Sequence, residues 1–169
     1  MTRFVLVLAA AALFAQPASA TEIFEAEGAW VGEGQLATGA EAPLERGRCK
    51  VDIKPVEGNN DVSVTGTCAV AVGLSDISIR LVRSSSGRVN AGVWSAATGQ
   101  TVQYSGTETD DMIDMSSTTE LLIDDKPYDS QVRVTAPDAD SFAIRQILRA
   151  KGADTWRLVV QMTYRKAGG

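Results

Sequence analysis

The sequence predicts an all-β protein, an antiparallel up-and-down β-barrel of eight to ten strands, with a two-sheet β-sandwich as the alternative. Three observations predict this class. Apolar and polar residues alternate over short runs, which is the period of a strand with one buried face. Gly, Asn, Asp, Ser and Pro interrupt those runs roughly every ten to fifteen residues. No long stretch carries the 3.6-residue period of an amphipathic helix.

The elements follow in chain order. Residues 1–20 read as a secretory signal peptide: Arg3 supplies the positive start, Phe4 to Ala15 is an uncharged apolar run, and Ala18-Ser19-Ala20 is a small-x-small cleavage site. The apolar run is short for a bilayer span. Cleavage after Ala20 leaves residues 21–169 as a single β-barrel domain, exported to the periplasm or beyond. Thr21 to Glu27 is a short helix or arm that covers one end. Ten strands then fit, over 29–36, 45–55, 60–70, 74–83, 88–95, 100–107, 112–123, 129–136, 140–149 and 154–165.

The last strand shows the logic best. Trp156, Leu158, Val160, Met162 and Tyr164 share one face, while Arg157, Val159, Gln161, Thr163 and Arg165 share the other. Phe142, Ile144 and Leu148 repeat the pattern one strand earlier, and Lys151-Gly152-Ala153 turns the chain between the two. Other breaks fall at Ser84–Gly87, Thr98-Gly99, Asp124–Pro127 and Ala136–Asp138. Short loops of this kind favour sequential antiparallel neighbours, and closure removes the free edges of such a meander.

The hairpin around Gly58-Asn59 fixes a register. It sets Val51 against Gly66, Ile53 against Val64, Pro55 against Val62 and Cys49 against Cys68, so turn chemistry, apolar pattern and cysteine spacing agree. An even pair of cysteines in an exported chain forms a disulfide. A two-residue turn places Cys49 and Cys68 at a hydrogen-bonded pair, where side chains stand further apart, so a bulge or a longer turn is required for a good bridge.

The opening Gly28-Ala29-Trp30 resembles the Gly-x-Trp motif of lipocalins and the wider calycin group, and the stretch to Gly34 resembles small secreted proteins of Gram-negative bacteria. The resemblance implies that Trp30 closes one barrel end and stacks on a basic side chain from near the last strand, Arg157 or Arg165. The later loop motifs of lipocalins are not evident, and ten strands exceed the eight of a simple lipocalin barrel.

Composition narrows the chemistry. The net charge of −5 offers no basic surplus for nucleic acid. With no histidine, Ser-His and Cys-His catalysis and His-containing zinc sites are excluded. No nucleophile elbow or S-x-x-K motif accompanies the serines of Ser84–Ser86, so the chain does not read as an enzyme, and no cofactor or metal is expected. Glu108, Asp110, Asp111, Asp114, Asp124, Asp125 and Asp129 read as polar turns and strand ends, without calcium-loop spacing. Arg80, Arg83 and Arg88 form either a basic patch or protective edge charges. The parity of Trp94, opposite to that of Val89, Ala91 and Val93, turns it outward.

Two functions fit. In the first, a small apolar or amphipathic ligand lies in the barrel among Ile53, Val64, Met115, Leu121, Phe142, Leu158 and Val160, with the inward hydroxyls of Ser117 and Thr119 to orient it. In the second, the core is filled and the protein is an interaction or inhibitor module for an envelope protein, using Trp94 or the acidic turns. The mature chain carries no apolar run long enough for a transmembrane helix.

Overall fold

The computed structural model describes residues 22–109, 112–138 and 140–168, apart from the side chains of Glu22, Asn59, Pro137 and Asp138. The proposed signal peptide, Asp110 and Asp111 lie outside the described residues. A short helix, α1 (Glu22–Glu25), precedes eleven strands: β1 (Gly28–Ala37), β2 (Leu44–Pro55), β3 (Asp61–Val70), β4 (Gly73–Arg83), β5 (Arg88–Ser95), β6 (Gln100–Glu108), β7 (Met112–Ser117), β8 (Leu121–Ile123), β9 (Lys126–Asp138), β10 (Ser141–Ala150) and β11 (Arg157–Lys166). Each of β1 to β6 pairs antiparallel with the next, β7 pairs with β9, and β9, β10, β11 and β1 complete the circuit. The result is a closed, ten-stranded, up-and-down barrel in which β7 and the short β8 lie end to end along the same edge of β9 and together make one interrupted strand.

The β2–β3 register is the one read from the sequence, including Cys49 against Cys68. The turn is longer than two residues: Gly58–Asn60 form one turn of 3-10 helix, and the Val56 amide donates to the Asp61 carbonyl at 2.9 Å. That bond makes Val56–Asp61 a hydrogen-bonded pair. Counting back seven positions puts the cysteines at a non-hydrogen-bonded pair, where facing residues approach most closely. Their Cα atoms are 4.0 Å apart and the disulfide is formed.

Three local readings need correction. The strand expected over 112–123 is interrupted: residues 118–120 break the pairing with β9, while the Thr118 amide still donates to the Gln103 carbonyl at 2.7 Å and Thr119 Oγ1 accepts from the Gln103 amide at 2.9 Å. The break expected at Ala136–Asp138 falls later, because β9 runs to Asp138 and β10 begins at Ser141. In β11, Val160 faces Gln146 but Leu158 faces Ile147, so Val159 is the extra residue of a β-bulge. The bulge reverses the alternation, burying Val159 and placing Leu158 with the outward row of β10. The strand also begins at Arg157, leaving Trp156 in the preceding connection, where Arg149 lies over its ring at 4.6 Å.

Elsewhere the turn chemistry holds. Asp124 and Asp125 both take positive φ, 51° and 61°, which is the geometry of a two-residue hairpin between β8 and β9. The β8 edge is covered at Leu122, whose amide and carbonyl both bond the Gln100 side-chain amide, at 3.0 and 2.6 Å. That contact satisfies backbone groups that a free edge leaves unpaired.

Candidate functional site

The interior is divided along the barrel axis. At the end where β1 begins, the space is filled. Trp30 packs on Phe142 with ring centroids 5.1 Å apart, and Phe142 stacks on Tyr164 at 4.5 Å. Gly32 makes room for this stack, since a Cβ there would stand 2.5 Å from the Tyr164 ring. Burial pushes the Tyr164 hydroxyl pKa up to about 12. The basic group over Trp30 is Lys166, whose Nζ lies 5.9 Å from the ring centroid, because Trp30 and Lys166 face each other across β1 and β11. Neither arginine suggested by the resemblance takes this position. Arg157 lies at the other end, donating to the Ala40 and Ala42 carbonyls at 2.9 and 2.6 Å, and Arg165 faces Val31 on the outer surface.

The anticipated N-terminal cover is present. α1 buries Ile23 and Phe24 against the filled end, with Ala26 following. The Arg83 guanidinium lies 4.5 Å above the Phe24 ring and donates to both Glu108 carboxylate oxygens, at 3.1 and 3.2 Å. With 14% and 11% of their side chains exposed, this pair is largely removed from water, and each member supplies the countercharge that the other needs.

A polar layer crosses the middle of the interior. Tyr104 Oη donates to Ser130 Oγ at 2.9 Å. Gln146 Nε2 donates to Ser130 Oγ at 2.9 Å and reaches Tyr104 Oη at 3.4 Å. The Ser130 amide in turn donates to Ser117 Oγ at 3.0 Å. Tyr104 and Ser130 are buried, so these bonds satisfy groups whose isolation would be costly. Burial is the main cause that raises the Tyr104 pKa.

Beyond this layer burial falls on β4 and β5, while Val102 on β6, Tyr128 on β9 and Leu148 on β10 stay buried. On β4 and β5, Leu81, Val89 and Ala91 are buried, whereas Ile77, Ile79 and Val93 on the same inward faces are only partly so. Leu36, Cys68 and Val160 are likewise half-buried and packed against the core. Polar residues enter the inward rows here: Glu45 on β2, Ser75 on β4, Ser95 on β5 and Gln100 on β6. Ser75 Oγ and Ser95 Oγ are 3.4 Å apart, and each accepts from the Ala97 amide. Glu45 Oε2 is buried and without a hydrogen-bond partner.

The residues read from sequence as a ligand site fall in different surroundings. Ile53, Val64, Met115 and Phe142 are buried core, Leu121 is buried where β8 folds onto β9, and Val160 is partly buried. Ser117 joins the polar layer. Thr119 is exposed in the break between β7 and β8 and Leu158 faces outward, so neither lines the interior. Glu45, Ser95 and Gln100 were missed, although each is a polar residue at an inward position of a strand with clear alternation. Gln146, in step with Phe142, Ile144 and Leu148, carried the same signal.

The charged candidates resolve into pairs. Asp114 receives two bonds from Arg133, at 2.7 and 3.0 Å, and Asp129 is bound by Arg149 and Lys151. Asp124 and Asp125 form a turn. Arg80 is held by Asp61 at 2.6 and 3.0 Å and Arg83 by Glu108, so the three arginines do not make one patch. Among the described residues, no three His, Cys, Asp or Glu side chains gather as a metal site, and no helix is long and apolar enough to cross a membrane. Trp94 lies on the outer surface, 37% exposed.

No protein-family model matches the chain, and no curated protein matches it.

Proposed function

We propose that this protein is a non-enzymatic binding barrel of the periplasm or extracellular space, taking a small amphipathic ligand into the half of its interior that lies beyond the polar layer. One observation carries the reading: along the same inward rows, burial falls and polar side chains appear on passing from Leu81 and Ala91 to Ile77 and Ser95. An apolar wall with a few converging polar groups is the usual composition of a small-molecule site. The calycin resemblance is consistent with this reading, with Trp30 at the filled end. The disulfide suits an oxidising compartment.

The test is native mass spectrometry of protein purified from periplasm, followed by release and identification of whatever co-purifies. A stoichiometric small molecule, lost on substituting Val93→Trp, is the expected result. A ligand that survives this substitution refutes the site. The alternative of an envelope interaction or inhibitor module draws on Val72 and Leu74, which are 74% and 77% exposed at the β3–β4 turn. Reproducible capture of one envelope protein, abolished by Leu74→Ser and indifferent to Val93→Trp, favours that reading instead.

A further inference from the structure

The interior holds two glutamates placed in contrasting ways. At the filled end, Glu108 meets Arg83 and is neutralised. At the other end, Glu45 stands on the inward row of β2, in step with Cys49, Val51 and Ile53 and directly across from Leu36. Its Oε2 is sealed from solvent, yet no donor among the described residues reaches it. A carboxylate oxygen withdrawn from water without a donor is destabilising, so such an atom calls for an explanation.

The cations close to Glu45 in the fold do not provide one. Arg46 and Arg48 alternate with it along β2 and face outward, Arg48 toward Glu33 at 3.7 Å. Arg157, which reaches the β1–β2 loop from β11, spends its guanidinium on the Ala40 and Ala42 carbonyls and on Glu41 at 3.2 Å. Ser75, Ser95 and Gln100 share the inward faces of this half but are neutral. This half therefore combines half-buried apolar side chains on β1, β4 and β5, neutral hydrogen-bonding groups and a carboxylate oxygen whose acceptor position has no donor.

Resting on the reading of this half as a ligand site, we propose that Glu45 recognises the head group of the ligand, and that the head group is an amine or ammonium carrying N–H donors. The apolar part of the ligand then lies along Leu36, Ile77 and Val93. An ammonium supplies both the hydrogen bond that Oε2 lacks and the countercharge that Arg83 supplies to Glu108. An anionic head group would meet the carboxylate as a like charge, and a purely apolar ligand would leave Oε2 as orphaned as before.

Three probes of equal chain length test this: decylammonium, decanoate and decanol, each titrated calorimetrically below its micellar range into the intact protein and into E45Q. The expected result is that decylammonium binds at least about ten-fold more tightly than decanoate, the size of one charge-assisted hydrogen bond. E45Q should lose about that factor for decylammonium while decanol changes by less than about two-fold. Near-UV circular dichroism checks that E45Q keeps native packing, and Glu45→Asp, which retains the charge, should keep part of the preference.

If E45Q binds decylammonium as tightly as the parent, or if decanoate binds as well as decylammonium, the head-group assignment is overturned. The ligand half then still stands, provided that Val93→Trp, or Ser95→Phe should the first variant not fold, abolishes binding of all three probes. If none of the probes binds the parent protein, the ligand reading itself falls, and the assignment to Glu45 with it.

Discussion

The two ends of the barrel are built from the same strands and solve different problems. At one end, Trp30, Phe142 and Tyr164 fill the space, α1 adds Phe24, and an ion pair seals the rim. At the other, the inward side chains of β4 and β5 are polar or only partly buried, whereas Tyr128 on β9 and Leu148 on β10 stay buried. Stability is concentrated where large side chains are fully buried, so the partly exposed inward rows of β4 and β5 contribute less of it. The difference shows that closure of a barrel does not by itself decide whether the interior is a core or a cavity. Side-chain volume on each inward row decides it.

The largest effect that sharpens this comparison is a pair of truncations. Trp30→Ala should cost about 3–5 kcal/mol, because it removes a buried indole from a stack that cannot collapse around the void. Ile77→Ala in the open half should cost below about 2 kcal/mol, since part of that side chain already meets solvent. Equilibrium denaturation in urea measures both. Equal losses would mean that the two halves are equally packed.

The disulfide joins the two regimes, with Cys49 fully buried and Cys68 half-buried. Replacing both cysteines by alanine should cost about 3 kcal/mol, given the loop that the bridge closes. Hydrogen exchange should speed up most in β3 and β4 beyond Cys68 and least around Val62 and Leu81. A uniform increase would argue against separate behaviour of the halves.

The third effect is a pH dependence confined to the filled end. Tyr164 titrates near 12 in the folded protein, raised from 10.0 by burial. The neutral phenol is therefore favoured by folding. Its contribution is fully present below about pH 10, and roughly 2–3 kcal/mol is lost as pH rises through 12. Tyr164→Phe should flatten the alkaline part of the stability profile, as followed by thermal melting between pH 9 and 12. An unchanged slope would place the alkaline sensitivity elsewhere.

The smallest of the four tests the boundary. Tyr104→Phe removes the donor to Ser130 while Gln146 still reaches that serine. A loss of about 1–2 kcal/mol is expected, as for one buried hydrogen bond with a partly compensated partner. A loss within experimental error would mean that the polar layer contributes little to separating the two halves.

Much of the architecture was legible in the sequence because alternation reports which face of each strand is buried, and turn residues report where strands stop. The β2–β3 register emerged correctly because three independent signals agreed. The site was less legible. Ile53, Met115 and Phe142 were apolar and inward, which is equally true of core and of ligand pockets, and only their place along the axis separates the two. Leu158 was misplaced by a bulge that no local residue announces. Thr119 was misplaced because alternation was carried through the break between β7 and β8, where its hydroxyl accepts from the Gln103 amide.

The sequence by itself determined the strand class, the approximate strand limits and the cysteine pairing, since these depend on local conformational preference and the period-two pattern. Tertiary structure alone decided the closure of β9 through β11 onto β1, the docking of α1 as a plug, the pairing of Lys166 with Trp30, and the division of the interior into a filled and an open half. Each of these joins residues distant in sequence. Their outcome depends on the volumes and charges that meet in three dimensions, which the order of residues along one strand does not record.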